Sequence, residues 1–181
     1  MAIDIRNYIS KVRTFLNNNY LFDIFCEDSP YPFEIIIDNN GNVTGLEIKE
    51  KNLALKTGDL ITFRETCTLK NSYIYIICHK YQFCPLNPDK ENGFWYFRID
   101  LDTKHGLHGN HDDGRGNYFR NDWPHHLIPG KDIDLDIFDF NFYLFLKLTA
   151  TYISQKEKYP FEKAYSNYYN QKITKWKNEI T

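Results

Sequence analysis

The sequence predicts an α+β fold, a helix-flanked antiparallel sheet carrying a histidine-rich loop, and three observations predict it. Apolar residues recur at helical spacing over residues 3–18. They alternate with period two, between short turns, from Tyr20 to about Leu101. They return to helical spacing after residue 135. A chain of 181 residues can bury one substantial core but not two. The expectation is therefore a single domain, 1–181, with an antiparallel sheet of about six or seven strands, one N-terminal helix and two C-terminal helices.

Ile5, Tyr8, Ile9, Val12, Phe15 and Leu16 form one apolar stripe, and Asp4 is placed to cap the helix that carries it. Asn17, Asn18 and Asn19 end that helix, because short amide side chains compete with the backbone for hydrogen bonds. Strands are expected at 20–26, 33–38, 43–50, 52–56, 59–69, 72–83 and 94–102. The turns between them include Pro30 to Pro32, Asn39-Asn40-Gly41, Thr57-Gly58-Asp59 and Lys70-Asn71. Turns this short join antiparallel neighbours, since a parallel pair needs a crossover of about a dozen residues.

Strict alternation assigns faces. In 59–69 it sets Ile61, Phe63, Glu65, Cys67 and Leu69 on the apolar side, so Glu65 is either a buried ion-pair member or a poised acid/base. In 72–83 it sets Tyr73, Tyr75, Ile77, His79, Tyr81 and Phe83 together, leaving His79 as a packing residue or a substrate contact. In 94–102 it separates Phe97, Ile99 and Leu101 from Arg98 and Asp100, which become same-face neighbours. Two closing helices are expected at 135–153 and 160–179, with Pro160 in the first turn of the second. Tyr165, Tyr168, Tyr169 and Trp176 exceed what one packing stripe of that helix requires.

Composition narrows the function classes. There is no run of eighteen apolar residues and no signal-like N-terminus, so no membrane association is expected and the default compartment is the cytoplasm. Cys26, Cys67, Cys78 and Cys84 lack the CxxC spacing of a zinc knuckle or redox pair and fit free thiols. A net charge of −2 argues against indiscriminate nucleic-acid binding. The charge is unevenly spread: 98–140 holds nine aspartates against five Lys or Arg, and 147–179 seven lysines against three glutamates.

Residues 103–130 hold five of the six histidines and five of the nine glycines. A loop of this length within a compact domain is usually functional or disordered. His105, His108 and His111, followed by Asp112 and Asp113, form an imidazole and carboxylate set suited to Zn, Mn or Ni, though no cofactor is required by the sequence. His125 and His126 follow Trp123-Pro124. Near Arg98 and Asp100, one of them would serve as general acid or base while Arg98, Arg115 or Arg120 neutralises a phosphate. Otherwise both histidines cap or pack the loop.

Four blocks in order, LALKTGDLITFRE, YIYIICHKYQF, WYFRIDLD and WPHHLIP, resemble the TumE family of small toxins from bacterial toxin–antitoxin pairs over about residues 53–130. The resemblance implies functional weight for Glu65, Tyr75, Arg98, Asp100, Pro124, His125 and His126. Ile99 and Leu101 depart from the family's tyrosine and asparagine, and Leu127 interrupts its histidine run. The first fifty residues and the helical part, 135–179, are additions to that core.

The expected function is thus a toxin-like protein of a toxin–antitoxin or defence system. It would act on RNA, a nucleotide or transcription through a His/Arg/Asp site by nuclease or other phosphodiester chemistry. His125, His126, Arg98, Asp100 and Glu65 would form the catalytic group, and Tyr75, His79, Arg115 and Arg120 would bind substrate. The alternative is a non-catalytic module that binds an antitoxin, polymerase or defence partner, for which fourteen tyrosines and fourteen phenylalanines supply contact area. Either reading is compatible with a homodimer.

Overall fold

A computed structural model describes residues 2–24, 31–49, 53–89, 91–102 and 140–181. Strand β1 (Ile3–Asp4) runs directly into helix α1 (Ile5–Asn18). Asp4 is its N-cap, accepting a 2.9 Å bond from the Asn7 N–H, and the turn of the stripe buries Tyr8, Val12 and Leu16. There follow β2 (Phe22–Ile24), β3 (Phe33–Ile37), β4 (Val43–Lys49), β5 (Leu53–Leu55), β6 (Leu60–Lys70), β7 (Tyr73–Cys84) and β8 (Phe97–Asp102). Helices α2 (Phe142–Ser154) and α3 (Ser166–Lys177) close the chain.

The fold is α+β. Every described strand pair is antiparallel. The main sheet has six strands, ordered β3-β4-β6-β7, with the far side of β7 shared between β1 at one end and β8 at the other. Strands β2 and β5 form a separate two-stranded sheet. The β6–β7 hairpin turns on Asn71 and Ser72, both at positive φ, which matches the strand twist as a type I′ turn does.

All three helices lie against one face of the main sheet. Leu46, Ile48, Ile61, Phe63, Phe83, Phe97, Ile99 and Leu101 from the strands meet Tyr8, Val12 and Leu16 of α1, most of α2, and Tyr169, Ile173 and Trp176 of α3 in one core. Helix α2 is apolar nearly all round, burying nine of its residues, as a helix enclosed on every side must be. No helix among the described residues is long and apolar enough to cross a membrane. Cys67, Cys78 and Cys84 are free thiols.

The strand expectations hold in kind and closely in position, but three details differ. First, β7 does not keep one parity. Thr66 pairs with Cys78 while Cys67 pairs with Ile76, so Ile77 is an extra residue that faces no partner on β6. Before this bulge Ile74 points inward and Tyr73 and Tyr75 outward; after it, His79, Tyr81 and Phe83 point inward. The single aromatic face expected over 72–83 is therefore split. Second, Pro160 does not start the last helix: a turn and a short 3-10 segment, Lys163–Tyr165, intervene before α3. Third, α2 begins at Phe142, capped by Asn141, whose side chain accepts the Leu144 N–H at 3.1 Å. Residues 135–139 of the expected helix lie outside the described residues.

Candidate functional site

Strand β8 carries the arginine and aspartate on which the expected site depends. Its approach is fixed from α2 and from the turn that follows that helix. The Tyr152 hydroxyl accepts the Trp95 N–H at 2.7 Å and donates toward the Gly93 carbonyl at 2.5 Å, and Tyr159 donates to the Tyr96 carbonyl at 2.9 Å. Phe97, Ile99 and Leu101 then anchor the strand in the core. Alternation turns Arg98 and Asp100 to the opposite face, where they form an ion pair at 2.5 Å. The Asp100 side chain is 3% exposed and that of Arg98 19%. A carboxylate this enclosed is stabilised by the adjacent guanidinium, and the guanidinium is held in a fixed orientation in return.

Across the sheet, Asp100 lies opposite Lys80, Lys80 opposite Arg64, and Arg64 opposite Lys49. This places a row of cations on the outer face, running up to the ion pair. Glu47 offsets part of that charge, bonding Arg64 at 3.2 Å and Lys49 at 3.1 Å, and Glu34 takes Lys49 at 2.8 Å.

Glu65 belongs to a different place. It points into the core from β6, opposite His79, and is wholly buried. One of its oxygens accepts from the Tyr8 hydroxyl at 2.7 Å and the Cys67 thiol at 3.4 Å. The other accepts from the Tyr81 hydroxyl and, at 2.8 Å, from the backbone N–H of Phe142. The same N–H lies 3.1 Å from the Tyr8 oxygen. Phe142 N–H is one of the donors that the first turn of α2 leaves without an intrahelical acceptor, so the carboxyl caps that helix from another element. The partners of Glu65 are therefore hydroxyl, thiol and N–H donors, not the cation of an ion pair.

Burial raises the Glu65 carboxyl above its ordinary range, and the bonds from Tyr81, Tyr8, Phe142 and Cys67 oppose that rise in part. Burial, then the nearby Glu65, pushes Tyr8, Tyr81 and the Cys67 thiol well upward, keeping all three protonated as donors. The cluster is chemically capable of holding a proton, but its full burial reads as support for the α2 N-terminus.

The sheet thus separates the predicted residues. Arg98, Asp100 and Tyr75 are on the outer face; Glu65 and His79 are on the helix side. Glu65 does not orient Arg98 or Asp100. Tyr75 is 42% exposed but sits five residues along β7 from Lys80, roughly 16 Å away at ordinary strand rise. His79 is buried, stacked on Tyr81 with centroids 4.6 Å apart. His105, His108, His111, Arg115, Arg120, His125 and His126 lie outside the described residues. Among the described residues no cluster of His, Cys, Asp and Glu is arranged to hold a metal. The sequence reading missed Tyr8, Tyr81 and Asn141 as polar anchors. Their one signal is that each sets a polar group inside an otherwise apolar run, where it needs a partner when buried.

Compared with family models, curated proteins and solved structures, the chain gives no match in any of the three.

Proposed function

We propose that this is a toxin-like protein of a toxin–antitoxin or defence system, acting on RNA, a nucleotide or transcription with Arg98 as its phosphate-binding group. The observation that carries the reading is the enclosed Arg98–Asp100 pair. It lies on the sheet face away from the core, on the strand that leads into the histidine-rich segment. A guanidinium whose orientation is fixed in advance meets a phosphate without the entropy cost of ordering it. His125 or His126 would supply the acid or base, Arg115 and Arg120 further positive charge, and the TumE resemblance points the same way.

The test is purified protein incubated with labelled RNA, with and without EDTA, alongside a growth assay on expression. Arg98→Ala, His125→Ala and His126→Ala are expected to lower cleavage or toxicity by at least about tenfold, the scale of one charge-assisted contact. If all three variants remain fully toxic while folded, the site is elsewhere. EDTA sensitivity would bring a divalent metal at His105, His108 and His111 into the reaction.

A second reading, a module that binds an antitoxin or other protein partner, is favoured by exposed Ile35 and Ile37 on an edge strand. Stable co-purification of a partner with an Arg98→Ala chain would support it over chemistry.

A further inference from the structure

Strand β3 ends the main sheet, and among the described residues no strand pairs with its other side. Its hydrogen-bonding parity is fixed by its neighbours. The Lys49 N–H donates to the Pro32 carbonyl at 3.1 Å and the Asp38 N–H to the Asn42 carbonyl at 2.9 Å, so even-numbered residues turn their backbone groups toward β4. Phe33, Ile35 and Ile37 consequently aim N–H and C=O outward, away from the sheet. The side chains of these three residues lie on the helix side, yet Ile35 is 57% and Ile37 59% exposed, with Val43 beside them at 43%. Edge strands are ordinarily blunted by inward-pointing charge, proline or a cover. Here the one charge, Glu34, points to the outer face and binds Lys49 at 2.8 Å.

We propose that this edge pairs with the same edge of a second copy, antiparallel, about a two-fold axis through Ile35. The pattern Phe-Glu-Ile-Ile-Ile is complementary to itself in that register. Phe33 meets Ile37 of the other copy, Ile35 meets its counterpart, and Glu34 falls opposite Ile36, so no like charges face each other. All three outward-aimed residues of each copy become hydrogen-bonded pairs, and the apolar row Phe33, Ile35, Ile37 continues across the axis. Two six-stranded sheets then join into one, and the interface is isologous. The strand spans five residues, Phe33–Ile37, which sets the length of the pairing. This interface does not depend on the proposed chemistry at Arg98.

Sedimentation velocity of the full chain across micromolar concentrations tests it. The wild type is expected at twice the 21.7 kDa chain mass. Ile35→Lys sets two lysines face to face on the axis, and is expected at the single-chain mass with an unchanged far-ultraviolet spectrum, since the side chain is already exposed. Mixing Ile35→Lys with Ile35→Glu is expected to restore the double mass, because opposite charges then meet. A wild type that stays at the single-chain mass, including one that takes up only a strand from another protein, overturns the proposal. So does an Ile35→Lys chain that remains dimeric.

Discussion

Glu65 shows how a single side chain can decide what its surroundings tolerate. Its carboxyl accepts four donors from β6, β7, α1 and α2, yet burial outweighs them and favours the neutral form. The consequence for stability has a definite sign. Below the ordinary value of 4.5 both folded and unfolded chains hold the proton. Above it the unfolded chain releases its proton first, so the folded state loses stability as pH rises, by up to about 1.4 kcal/mol per pH unit, until the raised folded value is passed. Glu65→Gln cannot titrate and keeps one acceptor oxygen, enough for Tyr81 and the Phe142 N–H, while its amide NH2 can donate to the Tyr8 oxygen. Urea denaturation of both proteins from about pH 4 to 8 is expected to show the variant gaining on the wild type as pH rises, with the difference levelling off thereafter. A difference that is flat, or that moves the other way, would contradict the burial argument. The inward position of Glu65 was legible from period two alone. Its partners were not, because Tyr8 is 57 residues away and Phe142 77, and no local pattern encodes such pairings.

Between elements, what sequence conveys is periodicity, and what it conceals is a break in periodicity. The helical stripe of α1 and the alternation in β6 and β8 each predicted the buried face, since one side of each element packs against the core. In β7 the same rule failed at a single extra residue. Ile76-Ile77 is the one place where two aliphatic residues stand together inside the alternating run, and that doubling is the trace of the bulge. The bulge also lies between the part of β7 held by β1 and the part held by β8, so it lets one strand serve two partners of different register. Strand β2 and its pairing with β5, and the two-residue β1, were too short to reveal their sheets. Glycine is informative at another junction. A Cβ on Gly45 would stand 2.4 Å from the Cys67 carbonyl oxygen, a backbone atom of the adjacent strand that cannot swing aside. Gly45→Ala is expected to force β4 and β6 apart and to cost about 1–3 kcal/mol, the ordinary range for overpacking. A thermal melt compared with Thr44→Ala, an exposed neighbour, checks it; equal melting temperatures would mean the strands part without resistance.

Taken as a unit, the molecule is organised around α2, and its two ends meet there. On the partner-binding alternative, the surplus aromatics Tyr165, Tyr168, Tyr169 and Trp176 of the last helix would be free to make contacts. In the structure Tyr169 and Trp176 are buried in the common core and Tyr165 and Tyr168 pack partly against it, so the segment completes the fold. The last residues are anchored at several points. Ile180 is fully buried, its carbonyl accepts the Asn7 side chain at 3.1 Å, and Glu179 takes both the Lys147 ammonium at 2.5 Å and the Tyr143 hydroxyl. Removing residues 178–181 therefore uncovers apolar surface on α1 and α2, strips Asn7 of an acceptor and leaves Lys147 without its carboxylate. Burial of one isoleucine is worth about 1.5–3 kcal/mol and each lost charged hydrogen bond about 1.5–3 more, a sum comparable to a large share of the 5–15 kcal/mol that holds an ordinary domain. The truncated chain is expected to shift its denaturation midpoint sharply downward with an unchanged slope, or to lose cooperative unfolding altogether. Ile180→Ala in the full chain separates the apolar part, with an expected loss of about 2–5 kcal/mol. If both proteins unfold like the wild type, the C-terminal residues are ornament on a core complete without them, and the last helix is free to serve the partner-binding alternative.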